Sequence, residues 1–152
     1  MKKFLTVLLV FTVFTGYAKN DDIKADSIKK LIENKSFAFI PQSAMPMRGG
    51  FISLTPSFDV KVSGDSVVSY LPYYGVARTA IFPGEETGIK FTSTNHQYEV
   101  QTTKNGWNIL IKPKDVGHNV ELNFNISKSG HVMLRVNDYR RDPITFSGYL
   151  EL

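Results

Sequence analysis

No cysteine occurs among the 152 residues, and that absence removes several functions at once. A disulfide framework, thiolate catalysis and the usual structural zinc sites all require the thiol. A lipid carried on a cysteine at the start of an exported chain requires it too, so no lipid anchor is expected. Histidine is scarce as well. His96, His118 and His131 are the only three. Each falls in or beside a predicted turn, where solvent exposure is expected, and no His-x-His or His-x-x-x-His spacing gathers two imidazoles into a metal site. A Gly-x-Ser-x-Gly elbow, a phosphate-cradling glycine loop, an EF-hand pattern and a dinucleotide fingerprint are all missing. With no activated nucleophile, no converging carboxylates and no cofactor signature, a noncatalytic protein is expected.

Clustered positive charge is also lacking. The formal net charge is +4, but Lys2 and Lys3 supply two of those charges from the extreme N-terminus. The remaining basic residues are scattered, apart from Arg140-Arg141, which lies between Asp138 and Asp142 and reads as a charged, exposed hairpin tip. Nucleic-acid binding needs a basic face, so no nucleic-acid partner is expected. Long apolar runs are missing in turn. The one apolar stretch, 4–14, follows Lys2-Lys3 and precedes the small-x-small site Gly16-Tyr17-Ala18. That order is the pattern of a secretory signal peptide cut near Ala18. The stretch is shorter than the roughly 20 residues that a membrane helix needs. The expectation is a periplasmic or secreted protein that does not span a membrane, with residues 1–18 removed and 19–152 forming a single domain.

Against these absences, the chain is rich in alternating apolar residues. Only 22–34 carries helical spacing: Ile28, Leu31 and Ile32 share one face with Ile23 a turn earlier, and Asp21 or Asp22 is available as N-cap. After Lys35 the period is two. Val120, Leu122, Phe124 and Ile126 alternate with Glu121, Asn123 and Asn125, and the same rhythm recurs in Phe37-x-Phe39, Phe58-x-Val60-x-Val62, Val68-x-Tyr70, Ile89-x-Phe91, Tyr98-x-Val100, Trp107-x-Ile109-x-Ile111, Val132-x-Leu134-x-Val136 and Ile144-x-Phe146. Ser63-Gly64-Asp65, Lys104-Asn105-Gly106 and Lys128-Ser129-Gly130 are hairpin signals. Short hairpins force antiparallel neighbours, and a meander of eight to ten strands hides its edges most simply by curling into a barrel. The fold class is therefore mainly β: a small antiparallel meander β-barrel with one N-terminal α-helix. Polar outward positions such as Glu121, Asn123, Asn125 and Arg135 are unsuited to lipid. Near the C-terminus, Gly148 in a strand marks a kink or a close backbone approach.

One long connection interrupts the meander, 72–87, PYYGVARTAIFPGEET. Tyr73, Tyr74 and Phe82 would supply contact area for an apolar or amphipathic small ligand at the barrel mouth, and Arg78 would pair with its carboxylate or phosphate. The competing role for the same aromatics is a plug over the barrel end. Glu85 and Glu86, adjacent on the chain, would need a second acid across a cleft to hydrolyse a polymer, and nothing in the sequence provides one. Leu71, Leu110 and Met133 each oppose the main apolar set of their strand. If exposed together they would make a patch for an envelope protein partner, and the alternative function is a structural or protein-interaction domain of the cell envelope.

The blocks Ser63-Gly64-Asp65-Ser66-Val67-Val68-Ser69-Tyr70-Leu71-Pro72-Tyr73-Tyr74-Gly75, Gly88-Ile89-Lys90-Phe91 and Ile144-Thr145-Phe146-Ser147-Gly148-Tyr149-Leu150 resemble the signature blocks of an uncharacterised family, domain of unknown function 4251. Its members are exported envelope proteins of Bacteroidetes, many of them lipid-anchored. The resemblance runs from about Ile28 to the C-terminus and implies an envelope location and a lipocalin-like barrel, with no activity or site to carry over. Asp26-Ser27-Ile28 and Asp65-Ser66-Val67 also resemble the Asp-Ser/Thr-apolar acceptors of O-glycosylation in such proteins. Ser66 has an ordinary role as well, stabilising a tight turn.

Overall fold

The computed structural model describes residues 17–78 and 87–152; most of the expected leader, together with Phe82, Glu85 and Glu86, lies outside the described residues. Helix α1 spans Tyr17–Glu33. It starts earlier than the apolar spacing predicts, so Asp21 and Asp22 lie within it and not at its start. The expected cleavage point after Ala18 falls within its described span. Ile28 and Ile32 are fully buried, whereas Ile23 is 57% exposed. The buried stripe is thus shorter than the sequence pattern suggests, because only the last turns of α1 reach the barrel. Burying each isoleucine is worth about 1.5–3 kcal/mol, enough to hold α1 across one end. No described helix is long and apolar enough to cross a membrane.

Ten strands follow among the described residues: β1 Ser36–Pro46, β2 Ile52–Ser53, β3 Asp59–Ser63, β4 Ser66–Leu71, β5 Ile89–Ser93, β6 His96–Thr103, β7 Gly106–Pro113, β8 Val120–Ser127, β9 His131–Asp138 and β10 Ile144–Glu151. The three hairpin signals fall between β3 and β4, β6 and β7, and β8 and β9. The strand order is β5-β4-β3-β1-β10-β9-β8-β7-β6, with β2 as a short extra pair on β1. First and last strands meet along the register Ala38↔Glu151 to Pro46↔Ile144, which turns the meander into a nearly closed antiparallel barrel. At Gly148 the approach is close: a Cβ there would lie 2.0 Å from the Ile40 carbonyl oxygen.

Among the described residues the one unpaired seam lies between β5 and β6, and strand direction explains it. β5 is antiparallel to β4 and β6 is antiparallel to β7. Counting directions around the barrel therefore sends β5 and β6 the same way, with only Thr94 and Asn95 between them. They form one long strand, bent in the middle, that leaves β4 and joins β7. Asp115, from the β7–β8 connection, pins the bend. Its carboxylate accepts from Ser93 Oγ, from the Thr94 amide at 2.8 Å and from the Asn95 amide at 3.2 Å. These bonds, that from Ser93 foremost, hold the carboxyl at about 2 against an ordinary 3.8.

The interior is lined by a continuous cluster of buried apolar side chains. Phe37 and Phe39 of β1 meet Phe124 of β8 edge to face, with ring centroids at 5.8 and 6.0 Å. Since β10 and β9 separate β1 from β8 in the sheet, these contacts cross the barrel. Phe146, Ile109, Ile111, Leu122, Leu134 and Ile144 fill the space around them. One alternation is reversed relative to the sequence reading. In β4 it is Val67, Ser69 and Leu71 that point inward, while Val68 and Tyr70 are exposed. Val67-Val68 fits either phase, and Ser69 tolerates the interior because its hydroxyl donates to the Ile89 carbonyl at 2.8 Å. Leu71 thereby belongs to the core.

Candidate functional site

Two surfaces carry enough chemistry to be considered, and they lie on different parts of the barrel. The first is the end where 72–78 and the β9–β10 connection meet. Asp138, Arg141 and Asp142 are buried there, which corrects the expectation of an exposed charged tip. Arg141 Nε sits 3.2 Å from Asp138 Oδ2, and its guanidinium donates to the carbonyls of Thr87 and Gly88 at 2.9 and 3.0 Å. The same guanidinium stacks over the Tyr73 ring at 5.0 Å. Arg78 reaches Asp142 Oδ1 through Nε at 3.1 Å and a terminal nitrogen at 3.0 Å, and Arg48 approaches the other oxygen at 3.7 Å. His118 is also held inside this network, between Asp138 and Arg140. It is not a solvent-facing turn residue. Burial and the adjacent Asp142 charge raise the Tyr73 hydroxyl above its ordinary value.

These contacts define what the loop residues do. Tyr73 donates its hydroxyl to the carbonyls of Val76 and Asp142, both at 3.1 Å, and Arg78 is paired within the chain. Tyr74 is 37% exposed. The described portion of the expected flap is thus a strap fastened to the β9–β10 connection, while Phe82 lies outside the described residues. A cleft of about 140 Å³ remains beside Asp138, Arg141 and Phe91, below the roughly 300 Å³ at which small-molecule sites begin. Sequence reasoning missed Asp138, Arg141, Asp142 and His118. The only available signal was the density of charge in Asp138-Tyr139-Arg140-Arg141-Asp142, which looks the same whether exposed or buried.

The second surface is an open groove of about 520 Å³ on the outward face of β6 to β10. Strand register lines up its walls. One row runs Glu99, Leu110, Asn123, Arg135, Thr145, and the next runs Gln101, Asn108, Asn125, Met133. Leu110 is half-buried and Met133 is 44% exposed, and both line the groove. Asn125 donates to the Asn108 side-chain oxygen at 2.7 Å. Among the described residues the side-chain amides of Asn123 and Gln101 make no hydrogen bond. One acid and one base balance the charge, amides supply paired donors and acceptors, and two flexible apolar side chains sit among them. No cluster of ligands for a metal ion occurs among the described residues. His96, half-buried at the bend, is lowered by burial and then by Lys35, and His131 is exposed at the start of β9. Ser66 opens β4 at the edge of its hairpin and is partly exposed.

Comparison with known proteins bears on the whole barrel. No curated protein matches the chain. A solved structure that does match is a DUF4251 family protein from Bacteroides eggerthii, with 17% identity, a TM-score of 0.63, and coverage of 87% of this chain and 89% of that one. At that identity the likeness speaks for the fold alone. Residues 19–150 match the family described as "Domain of unknown function (DUF4251)", and the chain belongs to that family.

Proposed function

We propose that this protein is an exported, noncatalytic binding module of the cell envelope that holds an amphipathic ligand on the outer face of β6 to β10. The observation that carries the proposal is the groove itself, with Leu110 and Met133 offering apolar contact between rows of amides able to donate and accept at once. The apolar side chains packed through the interior argue against a ligand inside the barrel. The engagement of Tyr73 and Arg78 within the chain argues for moving the site from the mouth to the outer face. A neutral groove with a single arginine suits a ligand that combines hydroxyl or amide groups with apolar faces better than a polyanion.

Native mass spectrometry of the protein taken from its own envelope fraction, set against its denatured mass, tests this. The expected result is a noncovalent adduct that disappears on denaturation and is lost in Met133→Lys, which places a charge on the groove floor. An apo spectrum for the wild type, or an adduct retained by Met133→Lys, overturns it. The second reading, a structural or protein-interaction domain of the envelope, is favoured by one observation: the far half of β6 is exposed on both faces.

A further inference from the structure

We infer that the free edge of β6 pairs with the same edge of a second copy of this chain, joining two barrels through one antiparallel strand pair. The inference does not rest on the ligand reading. Among the described residues β6 ends the strand order, hydrogen-bonded to β7 alone. From Glu99 to Thr103 every residue is exposed, including Val100 at 41%. Val100 lies in the inward phase, opposite Ile109 of β7, which is fully buried. An exposed valine in the buried phase of a strand is a position that a neighbour would cover. The edge also lacks the usual guards. Between His96 and Thr103 there is no lysine and no proline, and Glu99 is the single fixed charge in a stretch of Gln, Tyr, Val and Thr with high strand preference. The other edge, β5, is shorter and carries Lys90.

The occupant is argued from symmetry and charge. A two-fold axis perpendicular to the sheet keeps outward residues facing outward, so odd positions pair with odd and even with even. Centring the axis on Glu99 would set two carboxylates directly opposite, which is destabilising. Centring it on Val100 sets Val100 against its own copy, Glu99 against Gln101, Tyr98 against Thr102 and Gln97 against Thr103. Every pair is then tolerated, and nearly the full strand is used. In that register the outward rows run on across the axis: Met133, Asn125, Asn108 and Gln101 of one protomer continue into Glu99, Leu110, Asn123 and Arg135 of its partner. Two half-grooves become one continuous channel.

Sedimentation of the purified protein, followed up to about 1 mM so that weak association is included, gives the test. The wild type is expected to dimerise. Val100→Lys and Val100→Glu are each expected to weaken the dimer at least tenfold while melting like the wild type, and a one-to-one mixture of the two is expected to restore it. Hydrogen exchange provides a check that needs no variant, with amides of 97–103 gaining protection as protein concentration rises. A wild type that stays monomeric throughout overturns the inference, and so does a dimer indifferent to both substitutions or one whose 97–103 amides stay unprotected.

Discussion

Asp115 is the residue on which the bent strand turns, and its chemistry fixes how the fold responds to acid. The carboxylate serves the Ser93 hydroxyl and the amides of Thr94 and Asn95, donors that the bend would otherwise leave without a sheet partner. Its folded-state value, about 2, lies below the ordinary 3.8. The stabilisation it gives is therefore fully present above about pH 4 and is lost as pH falls toward 2. Urea unfolding measured across that window should show falling stability in the wild type. Asp115→Asn should be less stable at neutral pH and should show a flatter acid limb; equal acid limbs in the two proteins would remove Asp115 from this role.

The strap and the β9–β10 connection form the element most dependent on buried charge. Arg141 holds Asp138, the carbonyls of Thr87 and Gly88, and the Tyr73 ring at one time. Its replacement by methionine keeps bulk but leaves the Asp138 carboxylate with fewer partners in a buried setting. The expected cost is about 3–5 kcal/mol, read by urea unfolding, with faster amide exchange in 72–78 than in β7 and β8. A cost under about 1 kcal/mol would show that the network behaves as a surface pair. The same element shows where sequence reading stops. Strands and hairpins were legible because alternation and turn glycines are local signals, and the apolar face of α1 was legible from the spacing of Ile28 and Ile32. The strap was not, because Arg78 and Asp142 stand 64 residues apart and no local pattern tells a buried aspartate from a solvated one. The reversed phase of β4 has a similar origin. A Val-Val doublet is neutral between two registers, and the choice is made by the distant Ile89 carbonyl that receives Ser69. The groove escaped for the opposite reason: Asn123, Asn125 and Arg135 looked like ordinary outward polar residues, and only register places them side by side.

At the scale of the molecule, the barrel is a packed object with an unclosed seam. Phe124 touches two phenylalanines across the interior, so Phe124→Ala should cost about 3–5 kcal/mol and open a cavity that takes up small apolar probes such as benzene. The wild type should take up none. Detectable benzene binding by the wild type, seen as shifts of interior methyl resonances, would mean that the core is less full than its contacts indicate. Amphipathic binding and copy-to-copy pairing are both assigned to the outer face and edge, and a filled core is compatible with that division.

The β1–β10 pairing carries a consequence for how the protein comes into being. β1 is made first and its longest partner last, so the ring cannot shut until residues near Glu151 are available. Contacts of such wide sequence separation slow folding. A chain threaded through a membrane as an extended polymer would remain unfolded for the whole passage and acquire its shape only on arrival. The lateness of that final strand would act as a timer, since the barrel cannot close before it is supplied.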